Sequence, residues 1–316
     1  MEPVEEFVMK ATFDPLQDSL EIKKAITKPR NMNNLIQIVA HRSNEQRQEI
    51  LRAYFNQYQK QLTDDLRCEL GGNFRDAVIA LFFTPVDYDC YQLYMAMKGL
   101  GTNEDTIIEI LATRSSQRIN QIKQRYPEMF KNKNLEEDIK NDTSGFFRVI
   151  LLKLLQGNRN NNPYPDEQDC NNCAIALYNA SKLKKEQLQE TYVNMLTQKS
   201  RQELALIAKI YYQWYSKTLF EAIESLFSGD SRKVLKAIIY ALLSPSEYFA
   251  YRINKAVKGF GTNDTILIRV LVSRDEIDIE RIKRYYKQLY KKDLYKAVED
   301  DVSGDYRNLL LELIGH

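Results

Sequence analysis

Histidine is nearly absent from this chain: there are two in 316 residues, and one of them, His316, is the last. Neither His41 nor any of the four cysteines has sequence neighbours that would mark a nucleophile or a metal set. The phosphate-cradling pattern G-x-x-x-x-G-K-S/T does not occur. An enzyme is therefore not expected. Cysteine is too sparse for a disulfide scaffold, and in a cytosolic protein all four would stay reduced. Cys170-Asn171-Asn172-Cys173 fits C-x-x-C, but no second pair or nearby histidine completes a zinc set, so both are read as plain surface or helix-start thiols. No apolar run is long enough to span a bilayer, and the first residues, where acids sit beside Val8 and Met9, carry no secretory signal. The expected location is the cytosol. Charge of one sign is also missing: the formal net charge is +2, with acids and bases interspersed as in Glu136-Glu137-Asp138-Ile139-Lys140. That is the pattern of solvated helix faces and not of a concentrated basic face, so nucleic acid is not an expected partner.

What is present is a repeated loop. Met97-Lys98-Gly99-Leu100-Gly101-Thr102-Asn103-Glu104 returns as Val257-Lys258-Gly259-Phe260-Gly261-Thr262-Asn263-Asp264. Glycine at alternate positions lets the backbone take positive φ and turn its carbonyl oxygens toward one point. Thr102 followed by Asp105 reads as a capping box that opens a helix carrying Ile107, Ile108 and Leu111. A ring of carbonyls has no formal charge, so holding a hard cation such as calcium requires a carboxylate from elsewhere. Asp142-Thr143-Ser144-Gly145 begins 41 residues after Gly101, and Asp301-Val302-Ser303-Gly304 begins 40 after Gly261. The near-equal spacing predicts that one fold returns each acid to its own loop.

The repeat extends through the chain. Arg42-Ser43, Arg114-Ser115, Lys199-Ser200 and Arg274-Asp275 are each followed at fixed distances by an isoleucine (Ile50, Ile122, Ile207, Ile282) and a tyrosine (Tyr54, Tyr126, Tyr211, Tyr286). Each pair lies four residues apart, on one helix face, where core packing is the expected role. A second set, Gly72, Gly145, Gly229 and Gly304, steps by 73, 84 and 75 residues. The extra length in the middle is the polar stretch Gly157 to Pro165, which helix would not tolerate. Within 86–159 the pattern gives one helix ending near Met97, one over Asn103 to Thr113 and one carrying Ile119, Ile122 and Tyr126. A short one with Leu135 and Ile139 and a core helix over Phe146 to Leu155 complete the five. Strand alternation and hairpin signals are missing, so the fold class is all-α, with four five-helix repeats. The expected divisions are a tail at 1–12, repeats at 13–85, 86–159, 166–244 and 245–316, and a linker at 160–165.

These residues resemble the annexin family, whose repeat has this length, five helices, a K-G-x-G-T loop and a distant D/E-x-S/T-G acid. The resemblance covers almost the whole chain, from about Asp14 to Ile314. It implies four repeats packed in a curved disc, with calcium held at the convex face and bridging to acidic lipid. Carried over position by position, Met97, Gly99 and Gly101 offer carbonyls and Asp142 both carboxylate oxygens. Val257, Gly259, Gly261 and Asp301 do the same in the last repeat. Thr102 with Glu104, and Thr262 with Asp264, are candidates for a minor cation site, although starting the helix is the favoured role for them. The first repeat reads Ile26-Thr27-Lys28-Pro29-Arg30-Asn31, with both glycines lost and Glu69 retained. The third reads Ser181-Lys182-Leu183-Lys184-Lys185-Glu186, with Leu226 at the acid position. Neither is expected to hold calcium.

Three carbonyls and a bidentate carboxylate supply five of the six to eight oxygens that calcium takes, leaving room for water or lipid phosphate. Affinity in solution is then expected at ~10⁻⁴ M, tightening on anionic lipid, with avidity from two sites. The expected function is calcium-dependent binding to phosphatidylserine-type membranes, in membrane organisation or vesicle traffic. The protein is expected to be monomeric in solution, with lateral assembly on membranes. Lys28 and Arg30 are candidates for direct contact with lipid phosphate. The alternative is a calcium-independent cytoskeletal or vesicle-linking scaffold. Residues 1–12, with Phe7, Val8 and Met9, are the candidate surface for a protein partner. The resemblance also implies a polar passage with ion conductance, which no residue pattern here establishes.

Overall fold

The computed structural model describes residues 13–259 and 261–315. The partner surface expected in residues 1–12 lies outside them, as do Phe260 and His316. The described residues form nineteen helices and no strand. The first run is α1 (Pro15–Ile26), α2 (Met32–His41), α3 (Asn44–Tyr58), α4 (Leu62–Glu69) and α5 (Gly72–Leu81). The second is α6 (Pro85–Ala96), α7 (Glu104–Thr113), α8 (Ser116–Met129), α9 (Leu135–Asp142) and α10 (Gly145–Leu155). The third is α11 (Glu167–Ala180), α12 (Lys185–Gln198), α13 (Arg201–Tyr215), α14 (Leu219–Leu226) and α15 (Gly229–Leu243). The fourth is α16 (Pro245–Val257), α17 (Asp264–Tyr290), α18 (Leu294–Asp301) and α19 (Gly304–Ile314).

The landmarks of the sequence now have physical causes. Ile50, Ile122, Ile207 and Ile282 are fully buried, as are Tyr54 and Tyr126. The tyrosines reach out of the core with their hydroxyls: Tyr54 donates to Asp65 at 2.5 Å and Tyr126 to Asp138 at 2.7 Å. Burial raises both phenols, Tyr54 to about 12, so they stay protonated donors at any physiological pH. The basic residue of each motif is an anchor to the first helix of its run in three cases. Arg42 meets Asp18 at 2.6 Å, Arg114 meets Asp89 at 2.8 Å, and Lys199 pairs with Asp169. The serine after it caps the third helix: Ser43 accepts from Gln46 N–H, Ser115 from Arg118 N–H and Ser200 from Glu203 N–H. The landmark glycines all open the fifth helix of a run in positive φ, between +56° and +65°.

The fourth run departs from the five-helix expectation. Its second and third helices continue as one 27-residue element, α17, kinked at Asp278 (φ −152°, ψ 24°). Asp275 stands where the other runs have a capping serine, and Arg274 pairs forward with Asp278 at 2.7 Å, so the helix bends without a separate start. The C-x-x-C reading needs a correction of place. Cys170 and Cys173 are buried on α11, and burial pushes both thiols up, Cys170 to about 11. They lie toward the start of α11, as one of the two expected placements had it, but are buried and not on the surface.

The chain divides into two compact units, Met1–Thr84 with Arg252–His316, and Pro85–Tyr251. In the first, α19 packs on α2 and α5, and α17 on α5. In the second, α15 packs on α7, α10 and α13, and α10 on α12. Each unit therefore joins two runs through the last helix of each; Ile150 and Leu151 of α10 are wholly buried. A side chain of that size, fully buried, contributes about 1.5–3 kcal/mol.

Candidate metal site

The repeated loops are closed at their bases by one backbone hydrogen bond. Asn103 N–H donates to Ala96 C=O at 2.8 Å, and Asn263 N–H to Ala256 C=O at 2.8 Å. Six residues in each loop, 97–102 and 257–262, lie between the bonded groups. Their glycines take the expected conformation: Gly101 has φ +87° and Gly261 +83°, with Gly99 and Gly259 also positive. An added β-carbon at Gly101 or Gly261 would meet no heavy atom within 4 Å, so crowding does not select glycine there. Backbone conformation does, because L side chains are strained at these φ values.

The distant acids arrive where expected. Asp142 is the last residue of α9 and Asp301 the last of α18. Thr102 Oγ1 lies 3.1 Å from the Asp142 carbonyl and 3.3 Å from its Oδ2. Thr262 Oγ1 lies 3.2 Å from the Asp301 carbonyl and 2.6 Å from its Oδ2. A hydroxyl has one proton to donate, and in the second case the short distance assigns it to the carboxylate. This corrects the capping-box expectation. Asn103 is the N-cap of α7, its side chain accepting from Thr106 N–H at 3.0 Å, and Asn263 does the same for Ile266 at 3.1 Å. Thr102 and Thr262 are freed from capping and instead tie each loop to its acid. An asparagine directly before an apolar-periodic run was the available signal, since Asn ranks at or above Thr as a cap.

Met97 is buried, while Leu100, at the tip of its loop, is fully exposed. Glu104 and Asp264 begin α7 and α17, which suits acids at a helix N-terminus whether or not they also meet a cation. Around Asp142 lies a cleft of about 340 Å³ whose walls include Glu104, Ser144, Phe146 and Asp230. Around Asp301 is a larger one, about 650 Å³, which Arg30, Glu69, Thr262, Asp264 and Asp305 also line.

The other two runs differ in length as well as in residue type. In the first, Asn31 N–H closes onto Ala25 C=O at 2.9 Å around five residues, 26–30. In the third, Leu183 N–H closes onto Ala180 C=O at 3.1 Å, a single tight turn. Glu69, the last residue of α4, meets Arg30 Nη2 at 2.5 Å. A side-chain cation thus sits on the acid that corresponds to Asp142 and Asp301. Leu226 ends α14 with no carboxylate to offer. Loss of the glycines does not by itself reveal this shortening, which only the closing backbone hydrogen bonds define. Lys28 is exposed and has no ion pair among the described residues.

The oxygen atoms available here are the loop carbonyls and one acid per loop, a set that fits a hard divalent ion such as calcium better than zinc. A family model described as Annexin matches residues 17–81, 88–154, 174–238 and 248–313. Annexin A11 from Homo sapiens is 38% identical over 304 residues, covering 96% of this chain and 60% of that protein, so the chain spans about three-fifths of that relative's length. The solved structure of annexin III superposes with a TM-score of 0.93 at 37% identity, covering 97% of this chain and 95% of that one. The structure of calcium-bound annexin (Sm)1 superposes with a TM-score of 0.86 at 31% identity, covering 96% and 91%. With four matched segments over an all-helical frame, this chain belongs to the annexin family, whose members are calcium-dependent phospholipid-binding proteins.

Proposed function

We propose that this protein attaches reversibly to membranes rich in acidic phospholipid when calcium is present, through the loops 97–102 and 257–262. The carbonyls of Met97, Gly99 and Gly101 with Asp142 would hold one ion, and those of Val257, Gly259 and Gly261 with Asp301 the other. When bound, calcium supplies positive charge that both the loop and a lipid phosphate can share. The observation carrying this reading is the threonine hydroxyl of each loop, which meets the acid residue ending another helix: the Asp301 carboxylate at 2.6 Å, and Asp142 at 3.1 Å to its carbonyl and 3.3 Å to its carboxylate. Loop and acid, far apart in sequence, would thus be held near each other before any ion arrives, which lowers the ordering cost of binding.

The exposed Leu100 supports the reading further, because an apolar side chain at the loop tip gains by entering the headgroup boundary. No described helix is long and apolar enough to cross a membrane, so attachment would be peripheral. Arg30 is engaged with Glu69 and keeps about two-fifths of its side-chain surface exposed. Direct contact of Lys28 and Arg30 with lipid phosphate is therefore proposed mainly for Lys28. Co-sedimentation with phosphatidylserine vesicles across a calcium titration tests the function. Binding is expected to rise with calcium and to reverse with chelator. Vesicle binding indifferent to calcium would refute it.

A further inference from the structure

The third run keeps the place of a membrane loop after losing its metal chemistry. In the second run, Tyr94 stacks on Phe130 at 4.1 Å, and Lys98 lies over Tyr94 at 5.6 Å. In the third, Tyr178 stacks on Tyr215 at 3.8 Å, and Lys182 lies over Tyr178 at 4.8 Å. The same lysine on the same aromatic pair places the turn at 181–184 in its run as the loop 97–103 is placed in the second. Both runs belong to one compact unit. The starts of their fifth helices lie side by side, with Phe146 and Phe227 stacked at 5.8 Å and Asp230 of α15 sharing the cleft of Asp142. The two turns therefore open toward the same side of that unit.

Lys182, Leu183, Lys184 and Lys185 are all exposed. None of the three ammonium groups is in an ion pair among the described residues. Glu186 is the one acid adjoining the turn, and it forms no ion pair with them. Leu183, half exposed, stands between the lysines as Leu100 follows Lys98.

We infer that the turn 181–185 is a calcium-independent contact for an anionic bilayer, with Lys182, Lys184 and Lys185 on lipid phosphates and Leu183 at the headgroup boundary. This inference rests on the proposed membrane attachment. It replaces a divalent ion at the third loop with three fixed charges. Charges of this kind act at a negatively charged surface within a Debye length and are screened by salt.

The test is co-sedimentation with phosphatidylserine/phosphatidylcholine vesicles, comparing wild type with K182E/K184E/K185E at low and high salt. At low salt the triple variant is expected to need roughly 10-fold more calcium for half-binding, and the gap should close at high salt. All three positions are solvent-exposed, and because Lys182 lies over Tyr178, K184E/K185E is run beside the triple variant and is expected to shift the midpoint in the same direction. As Trp214 is the only tryptophan, W214F/L183W puts a lone reporter at the tip. Its emission should be quenched by brominated acyl chains when the protein is vesicle-bound. A triple variant with the wild-type calcium midpoint at low salt, or an unquenched reporter on sedimented protein, overturns the inference alone. A wild type that fails to sediment at saturating calcium overturns both this and the function on which it rests.

Discussion

Four helices, α4, α9, α14 and α18, end at equivalent places, and their last residues have three different fates. Asp142 and Asp301 face a glycine loop through a threonine hydroxyl, Glu69 faces a guanidinium, and Leu226 ends its helix without a carboxylate. The helices themselves barely differ in length. The scaffold is therefore held by residues that all four runs share, the buried isoleucine–tyrosine face and the fifth helix, and the ligand positions are free to change without unfolding it. A repeat can lose its metal and remain a structural member.

This comparison can be broken most directly at the acids. Asp142→Asn with Asp301→Asn is expected to raise the calcium needed for half-maximal vesicle binding by more than about 100-fold, and each single change by roughly 10-fold, since a neutral amide removes the anionic oxygens that the loop carbonyls cannot supply. Equal midpoints for the double variant and wild type would end the distinction between the second and fourth runs and the other two.

The heads of the third helices offer a second contrast. Ser43, Ser115 and Ser200 cap, whereas Asp275 is half-buried and lies 3.6 Å from Arg47. Burial outweighs that arginine and pushes its carboxyl up to about 6. The folded protein then binds this proton more tightly than the unfolded chain, so the contribution is full below about 4 and is lost as pH rises through about 6. Urea unfolding should show Asp275→Asn losing up to about 2 kcal/mol of this acid-side gain between pH 7 and pH 4.5. Parallel pH profiles for variant and wild type would contradict it.

Smaller effects sharpen the picture. Gly101→Ala or Gly261→Ala forces an L side chain to positive φ at about 1 kcal/mol, and should move the calcium midpoint about 5-fold with little change in thermal stability. Thr102→Val or Thr262→Val removes the hydroxyl that holds the acid, and about a 3-fold shift in the same titration is expected. Arg30→Ala should leave that titration within 2-fold of wild type. The Arg30–Glu69 pair is half exposed, so the change should cost at most about 1 kcal/mol in denaturant unfolding. A large gain in calcium response from Arg30→Ala would mean that the first loop is only masked, whereas its five-residue length predicts that it lacks the carbonyl geometry.

Much of this was legible in the sequence because periodic apolar positions and positive-φ glycines leave local signatures. Helix boundaries in the second run fell within two residues of observation, and the pairing of each loop with a distant acid followed from spacing alone. Three things were not legible. Thr102 matched a capping box as well as Asn103 matched a cap, and only the fold decides which oxygen meets the helix N–H groups. The Arg30–Glu69 pair joins residues 39 apart, and no local pattern announces it. The fusion of helices in α17 depends on an aspartate that looks like a conservative cap and is instead drawn toward Arg47.

The guanidinium on Glu69 carries one more consequence. It is covalently tethered, so no chelator removes it and no ion pulse adds to it, and that end of α4 keeps one electrostatic state through every signalling cycle. On the proposed function, two responsive loops in place of four would cap the steepness of the response near a Hill coefficient of about two. Such a molecule would suit graded recruitment rather than an abrupt threshold.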